Sequence, residues 1–505
     1  MSRLTKPFRH WLLITVHCLL IISISSCSPS NSAPTATLHA IPTLTPTLDI
    51  STRTAPAPDT ATPDTETLSL PHYTFNVTLD YRRRRLTVDE TIVYPNATGD
   101  ALNDLVLAVM PNIWPSVFKL NKLELNGAPA KNYKLDKQRL TIQLPAPLPP
   151  EGTAELFIAY SLSLPEIQAE LSTEEVLPQF FGYTSRQMNL ANWYPFIVPH
   201  DADGWILHEP WYFGEHLVYD AANFEVNIKH AEEGVRPTIV ASAVGEPNGA
   251  WTRFTLNNAR TFAFSASTEF QRSVTNAGDV FVYSYYFPGN ESAGEAAAVA
   301  AADAIEVFSQ RFGPYPHKSL TIVMSDFNDG AEFSAFFFLS KGFYRTYDST
   351  RANYLTFISA HETAHQWWFE QVANDQYLEP WLDEALCTYS EHIFYETTDL
   401  PLLDWWWGVR VDAYTPHGTV DIPLNTEFEN EMYRQYVNAT YLRGARFLDD
   451  LRNRMGDEAF FAVLQDYLNQ FKGKRATADD FFTVLRQHTN TDISDLMNEY
   501  FQDQH

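Results

Sequence analysis

The sequence has few cysteines and few basic residues. Only three cysteines occur among 505 residues, and Cys18 lies in an N-terminal segment that we expect to be removed. The other two, Cys27 and Cys387, are too few for the disulfide framework of a small secreted domain. Lys and Arg number 35 against 62 Asp and Glu, so the net charge is -27. This charge argues against binding to nucleic acid or to an anionic membrane surface.

The sequence also lacks an N-terminal apolar run long enough to span a membrane. Residues 11–24 are mostly apolar, whereas a transmembrane helix needs about 20 such residues. Basic residues precede the run and two serines follow it, which is the arrangement of a cleaved export signal. Residues 24–27, Ile-Ser-Ser-Cys, resemble a bacterial lipobox, so we expect removal of residues 1–26 and acylation of Cys27. The alternative is an ordinary cleaved signal that leaves Cys27 as a free thiol.

Residues 27–71 are predicted to be a disordered tether. The segment 28–70 holds 11 Thr and 7 Pro among its 43 positions and shows no sustained apolar periodicity. Such a composition cannot close a hydrophobic core. A lipid on Cys27 and this tether would hold the folded part on the cell-surface or periplasmic side of a bacterial membrane.

Residues 72–270 are predicted to form a β-rich domain. Apolar and polar residues alternate from Tyr73 to Tyr81, and mostly alternate again from Leu86 to Tyr94. This alternation predicts a hairpin of half-buried strands, and the arginines at 82–85 predict its solvated turn. Short apolar runs separated by Pro and Gly predict further strands, for example at 140–144 and 154–160.

The pattern becomes helical beyond about residue 290. The alanine-rich stretch 295–308 predicts a helix, and the apolar run 320–324 predicts a buried strand. Residues 271–400 are therefore assigned to an α/β domain and residues 401–505 to its helical C-terminal part. Amphipathic runs at 457–471 and 478–488 predict two helices there, the second opened by a capping box of Thr477 and Asp480.

A possible metal site lies in the sequence His-Glu-Thr-Ala-His at 361–365, within a run from 354 to 369 that contains no Pro or Gly. On a helix, His361 and His365 share a face and could both bind one Zn²⁺, with Glu362 beside the open coordination position. Taken alone, the pentapeptide could equally be a surface cluster of ion pairs.

A second helix is predicted to begin at Pro380 and to carry the third ligand. Glu384 follows His365 after 18 intervening residues. A catalytic zinc site needs three protein ligands and one open position, and a carboxylate from a neighbouring helix completes this set. Glu391 lies two turns further along the same face and could accept a hydrogen bond from a ligand histidine. The alternative for Glu384 is an ordinary surface acid.

These residues resemble the aminopeptidase N family of gluzincin metallopeptidases, which has this spacing between the zinc helix and the ligand glutamate. The glutamate lies in a Trp-Leu-Asp-Glu-Ala run at 381–385, similar to the family's Trp-Leu-Asn-Glu-Gly. A further family signature, a tyrosine followed after one residue by basic-Gly-Ala, is found at 441–445. The resemblance implies that the Tyr441 hydroxyl stabilises the tetrahedral intermediate. The alternative for Tyr441 is a role in helix packing.

The family's exopeptidase motif Gly-Ala-Met-Glu-Asn has a divergent counterpart here, Asp-Gly-Ala-Glu-Phe at 329–333. The resemblance assigns Glu332 to the binding of the substrate's free amine, and the alternative is a structural carboxylate. A second amine-binding side chain normally comes from the β domain, where Phe181 of Pro-Gln-Phe-Phe occupies the corresponding place. Phe181 cannot accept a hydrogen bond from an ammonium group.

The resemblance covers about residues 72–505, and the family's large C-terminal helical-repeat domain has no counterpart in the sequence. It implies a multidomain α+β protein, with a saddle-like N-terminal β domain followed by a thermolysin-like α/β zinc peptidase domain. The implied activity is that of an aminopeptidase with one Zn²⁺ per chain and with peptides as substrates. Two alternatives are an open-site zinc endopeptidase or hydrolase and a catalytically silent surface-binding protein.

Two other features are predicted to serve packing. Cys387, three residues after Glu384 on the same predicted helix, is expected to be a small buried hydrophobic residue rather than a reactive thiol. The tryptophans at 405–407 are expected to pack in the core or between domains, although they could line a substrate cleft.

Overall fold

A computed structural model describes residues 70–168, 175–231, 235–426 and 432–503. The predicted export signal, the lipidation site Cys27 and almost all of the predicted tether lie outside the described residues. Within the described residues, no helix is both long enough and apolar enough to cross a membrane.

The first described part is rich in β-strands. Its largest sheet has eight strands in the order β16-β17-β14-β1-β2-β8-β4-β5. The strands of this part are β1 His72–Asp80, β2 Arg85–Pro95, β3 Leu102–Ala108, β4 Phe118–Leu125, β5 Ala128–Pro129, β6 Tyr133–Asp136, β7 Arg139–Leu148, β8 Thr153–Ser163, β9 Phe181–Tyr183, β10 Met188–Leu190, β11 Phe196–Ile197, β12 His200–Asp201, β13 Gly204–Trp205, β14 Ala222–His230, β15 Thr238–Ala241, β16 Glu246–Asn248, β17 Trp251–Ala259 and β18 Phe264–Ser267.

The predicted hairpin is present as the antiparallel pair β1 and β2. Tyr73, Phe75 and Val77 of β1 are buried, as their alternation predicted. The turn that joins the two strands contains exposed arginines, and Arg84 has a positive φ of 57°. The predicted strands at 140–144 and 154–160 lie within β7 and β8.

An acidic residue occupies a core position of β2. Glu90 is fully buried between Phe75 of β1 and Ile158 of β8, and neither carboxylate oxygen has a hydrogen-bond partner among the described residues. Burial raises the pKa of Glu90 well above its usual range, and the nearby Tyr160 hydroxyl only partly opposes this shift. The folded protein therefore holds a proton on Glu90 more tightly than the unfolded chain does.

This buried acid gives a prediction about stability. Because folding raises the pKa of Glu90, the free energy of unfolding should fall as the pH rises above about 4.5, its ordinary pKa. The Glu90→Gln variant lacks this titration. The unfolding free energy of the variant, relative to that of the wild type, should therefore increase with pH. The increase should be up to about 1.4 kcal/mol per pH unit between the pKa of Glu90 in the unfolded chain and its pKa in the folded protein. Calorimetry from pH 5 to pH 8 measures the difference. The control is Glu155→Gln, because Glu155 on β8 is exposed, and its unfolding free energy should change with pH as that of the wild type does.

The second described part combines a five-stranded sheet with helices. The strands of the sheet are β19 Gln271–Ala277, β20 Val280–Tyr286, β21 Ser319–Ser325, β22 Gly330–Phe333 and β23 Phe336–Ser340, and a separate pair consists of β24 Val372–Ala373 and β25 Lys474–Arg475. The order in the five-stranded sheet is β19-β20-β21-β23-β22. The α-helices are α1 Glu291–Arg311, α2 Lys341–Arg345, α3 Tyr354–Ala364, α4 Trp381–Thr398, α5 Leu403–Trp406, α6 Met432–Val437, α7 Gly444–Met455, α8 Asp457–Phe471, α9 Ala478–His488 and α10 Ser494–Tyr500.

Several predicted elements are found in this part. The helix expected at 295–308 lies within α1, and the strand expected at 320–324 lies within β21. Helices α8 and α9 have the predicted bounds. The predicted capping box is formed, since the Thr477 side chain accepts from the Asp480 backbone while the Asp480 side chain accepts from Thr477. The alternation of strands and helices thus matches the predicted fold class.

Helix α3 is shorter than its sequence suggests. It ends at Ala364, and the chain continues through irregular turns although no Pro or Gly is present. The buried Arg260, just after β17, stabilises these turns because its Nε donates to the carbonyl oxygens of Phe369 at 3.0 Å and Glu370 at 3.1 Å. Its Nη2 also donates to the Lys474 carbonyl at 2.8 Å. Contacts from distant segments therefore override the local helical tendency.

Candidate active site

Three potential metal ligands meet between α3 and α4. His361 lies in the last turn of α3, His365 is its C-terminal cap, and Glu384 lies in the first turn of α4. One ligand atom from each residue falls within 4.8 Å of the others, and all three side chains are buried. Glu384 Oε2 lies 3.2 Å from His361 Nε2 and 3.8 Å from His365 Nε2. Two imidazole nitrogens and one carboxylate are the ligand set of a catalytic zinc site, so these residues fit Zn²⁺.

Each histidine is oriented by a carboxylate on its other ring nitrogen. His361 Nδ1 lies 2.9 Å from Glu391 Oε1, which places Glu391 where the sequence predicted an acceptor. His365 Nδ1 lies 2.6 Å from Asp383 Oδ1. Such partners fix the orientation of each ring, and Nε2 of both histidines then lies near Glu384, where it could bind a metal. Sequence reasoning missed Asp383, although its position directly before Glu384 was the available indication.

The orienting carboxylates are themselves held by other side chains. Glu391 accepts hydrogen bonds from Arg410, at 2.9 Å from its Nη2, and from Trp406 Nε1 at 2.9 Å. Asp383 accepts a hydrogen bond from Gln376 Nε2 at 2.6 Å. Both buried acids therefore have the hydrogen-bond partners that a buried carboxylate needs.

The carboxylates around the histidines favour their protonated forms when no metal is present. Burial alone would lower the pKa of His361, but hydrogen bonds to Glu384 and Glu391 raise it to about 9. Burial alone would also lower the pKa of His365, but the charges of Glu332 and Asp383 raise it to about 9. Because a metal ligand must be neutral imidazole, protons and the metal compete for the same nitrogens.

Glu362 is placed as a proton acceptor beside the ligand cluster. It follows His361 on α3 and lines the same cavity as the ligands, yet its Oε2 is buried without a hydrogen-bond partner among the described residues. Burial and the charges of Glu332 and Glu384 raise the pKa of Glu362 well above its usual range. A Cβ at position 330 would lie 1.9 Å from Glu362 Oε1, so Gly330 leaves the space that this carboxylate occupies.

Glu332 lies on the short strand β22 at the same cavity. Its side chain is 7% exposed, and Gln376 Nε2 donates to its Oε1 at 3.5 Å. Burial raises the pKa of Glu332 well above its usual range; His365 opposes the shift and Glu215 adds to it. Glu332 makes no ion pair with a Lys, Arg or His side chain in the described part of the chain. The structure thus brings this sequence-predicted residue next to Glu362 and His365.

Tyr441 lies in a π-helical turn, Asn438–Arg443, that leads into α7. Single π-turns occur often at functional sites. The Tyr441 ring is stacked on the His361 ring, with the centroids 6.0 Å apart and the planes 8° from parallel. Burial and the charge of Glu384 raise the pKa of Tyr441 well above its usual range, so its hydroxyl keeps its proton and can donate a hydrogen bond.

The glycine of the tyrosine signature also has a structural reason. A Cβ at Gly444 would lie 2.4 Å from the Cβ of Ala385. Helix α7 can therefore approach α4 closely, which brings Tyr441 to the helix that carries Glu384.

The aromatic side of the cavity contains Phe181. Its ring is buried and stacks on Trp114, with the centroids 5.6 Å apart and the planes 10° from parallel. Phe181 therefore offers an apolar wall and no hydrogen-bond acceptor, while Gln179 lines the same cavity two residues earlier. Another lining residue, Glu215, was not singled out from the sequence because no motif surrounds it.

Cys387 and the tryptophans at 405–407 pack mainly as expected. Cys387 is a free, buried thiol, and burial raises its pKa well above the usual range, so it is not a reactive thiolate. Trp406 is fully buried. Trp405 and Trp407 are partly buried against the same core.

Comparison with known proteins finds similarity to peptidases. Residues 297–500 match the model of the Peptidase family M1 domain. "Probable aminopeptidase 2" of Sulfurisphaera tokodaii is 25% identical over 251 residues, which are 46% of this chain and 31% of that protein. "Aminopeptidase N" of Lactococcus lactis is 21% identical over 454 residues, 85% of this chain and 50% of that protein. The chain thus spans half or less of the length of these curated relatives.

Solved structures show the same fold. A crystal structure of an M1 zinc metallopeptidase from Deinococcus radiodurans is similar with a TM-score of 0.59 and 19% identity, covering 85% of this chain and 93% of that one. A second structure of the Deinococcus enzyme, bound to a Tyr-Ser-Ala substrate, has a TM-score of 0.60 and 18% identity and covers 86% of this chain and 95% of that one. The predicted fold class and the resemblance to the aminopeptidase N family are therefore confirmed.

Proposed function

We propose that this chain, which carries a peptidase family M1 domain, is a zinc-dependent aminopeptidase that removes residues from the N-termini of peptides. One Zn²⁺ per chain would be held by His361, His365 and Glu384. The observation that carries the proposal is the meeting of these ligands with Glu362 and Glu332 in one cavity. The first three residues would bind the metal, and the other two would supply a proton acceptor and an anchor for a positively charged amine.

Each residue of the site has its own role in the proposed hydrolysis. When bound, Zn²⁺ supplies Lewis-acid chemistry to the substrate carbonyl and to water. Glu362 accepts the proton of the attacking water and later donates it to the leaving amine. The Tyr441 hydroxyl donates a hydrogen bond to the oxygen on which negative charge develops. Glu332 binds the protonated α-amine and so places the scissile bond one residue from the N-terminus.

Substrates with a free amine should be strongly preferred to blocked ones. Acetylation removes the positive charge and leaves the buried Glu332 without its partner. A charge-assisted hydrogen bond of up to about 3 kcal/mol is lost, so kcat/KM should fall by about 10²-fold. Free and N-acetylated fluorogenic peptides of one sequence give the ratio directly. Glu332→Ala should remove most of the difference by impairing only the free peptide. Equal cleavage of both peptides by the wild type would favour an open-site endopeptidase instead.

We further propose that the mature protein is anchored to a membrane by a lipid on Cys27. The support is the arrangement of residues 1–27, with basic residues, a short apolar run and Ile-Ser-Ser-Cys at the end. Purified from membranes of a bacterial host, the protein should have a mass that matches a chain beginning at Cys27 and carrying acyl groups. The Cys27→Ala variant should not be acylated and should leave the membrane fraction. A wild type without acyl groups would leave the ordinary cleaved signal as the explanation.

A further inference from the structure

We infer that Glu215 is a second carboxylate ligand for the α-ammonium group of the substrate and acts together with Glu332. This inference rests on the proposed function. It adds a specificity-determining residue from a segment that carries no recognised motif, between β13 and β14.

The first argument is the balance of charge in the cavity. The cavity is lined by five carboxylates, from Glu215, Asp329, Glu332, Glu362 and Glu384. Two of these carboxylates are already accounted for. Asp329 accepts a hydrogen bond from the Tyr433 hydroxyl at 2.7 Å, and Glu384 belongs to the proposed metal ligands. Glu362 is the proton acceptor. Glu215 and Glu332 remain, and within the described residues neither forms an ion pair with a basic side chain.

The second argument is that Glu215 lines the same cavity as the reacting groups, because Glu332, Glu362 and Tyr441 line it too. Burial, and next to it the charges of Glu384 and Asp383, raise the pKa of Glu215 well above its usual range. Two carboxylates that line one cavity without a basic partner are both stabilised when one cation binds between them. A primary ammonium group carries three donors and can contact both.

The third argument is the backbone that presents Glu215. The preceding residue, Gly214, has a φ of +64°, and a Cβ there would lie 2.4 Å from the Leu424 side chain. A glycine is therefore required at this turn. On the other side of Gly214, the buried Phe213 packs on Tyr436 with the ring centroids 5.3 Å apart. These contacts pack the backbone next to Glu215 on both sides, and the Glu215 side chain lines the cavity from there.

The fourth argument is the apolar wall at Phe181. The Phe181 side chain has no nitrogen or oxygen atom to accept an ammonium hydrogen bond, and its ring stacks on Trp114. Glu332 would then be the sole carboxylate partner of the amine. Glu215 reaches the same cavity from a different part of the chain and restores a second anionic acceptor.

The test measures binding in a background with strongly reduced turnover, at peptide concentrations and times for which product analysis shows no significant cleavage. The Glu362→Gln protein is titrated by calorimetry with the peptide Leu-Gly-Gly and with its N-acetylated form. Adding Glu215→Gln should weaken binding of the free peptide by about 10- to 100-fold, the effect of one charge-assisted hydrogen bond. Binding of the acetylated peptide should change less than two-fold. The control is Glu209→Gln, because Glu209 lies six residues earlier with a side chain that is 78% exposed, and it should change neither value.

The outcomes separate this inference from the proposed function. Equal weakening of both peptides by Glu215→Gln would show a structural role and overturn the inference, as would no weakening of either. If Glu332→Gln weakens the free peptide selectively while Glu215→Gln does not, the proposed function stands and only the inference about Glu215 fails. If Glu362→Gln binds the two peptides equally and the wild type cleaves them equally, the amine site itself is absent and both conclusions fail.

Discussion

Replacing Glu362 by Gln is expected to lower kcat by about 10²- to 10⁴-fold while the protein keeps its zinc. The loss is that of a general acid–base catalyst, since a glutamine amide has the shape of the carboxyl group but cannot accept the proton of water. The metal ligands are untouched, and the space beside Gly330 already fits a side chain of this size. Single-substrate kinetics and metal analysis on the same preparation give both quantities.

The comparison variant for this prediction is Glu384→Gln. It makes the same chemical change 22 positions later, but it alters a metal ligand, so zinc and activity should be lost together. A Glu362→Gln protein that contains no zinc would contradict the division of roles between the two glutamates. So would a Glu362→Gln protein with normal turnover.

The parts of the site that follow from helical spacing could be predicted from the sequence. His361 and His365 meet because residues four apart share a helix face, and Glu384 lies near the start of a helix that a proline precedes. Glu391 lies two turns after Glu384 and is found at His361 Nδ1. In the β-rich part, strict alternation predicted β1 and β2, because a strand with one buried face must alternate.

The parts that depend on long-range contacts could not be predicted. Arg260 lies more than 100 residues before the carbonyl oxygens that it binds, and nothing near residue 365 indicates that the helix must end. Glu215 follows a turn at Gly214, and the need for glycine there is seen only when Leu424, more than 200 residues later, packs against the turn. Glu90 was also not singled out from the sequence, because it interrupts the apolar face of β2, and its burial without a hydrogen-bond partner among the described residues is seen only in the structure.

The glycines of the two signatures show why these motifs have their form. Gly330 leaves room for the carboxylate of Glu362, and Gly444 allows α7 to contact Ala385. In both places the motif has a glycine because two elements lie very close together, and any larger side chain at that position would push them apart. The resemblance of sequences therefore carried geometric information that composition and periodicity do not contain.

Tyr441→Phe should lower kcat by about 10²- to 10³-fold, corresponding to about 2.7 to 4 kcal/mol of lost transition-state stabilisation. The hydroxyl is needed only when negative charge develops on the substrate oxygen, so KM should stay within about three-fold of the wild-type value. The stack on His361 and the contact of Gly444 with Ala385 do not involve the hydroxyl, so zinc content and thermal stability should be unchanged.

Tyr436 offers a matched control for this prediction. Its ring lies 5.8 Å from that of Tyr441, and its hydroxyl is buried with no hydrogen-bond partner among the described residues. Tyr436 is not among the described residues that line the cavity, whereas Tyr441 is. Tyr436→Phe should therefore change kcat by less than about three-fold. A large loss in Tyr436→Phe, with near-normal turnover in Tyr441→Phe, would move the oxyanion donor to Tyr436, because only the hydroxyl that reaches the substrate can stabilise the transition state.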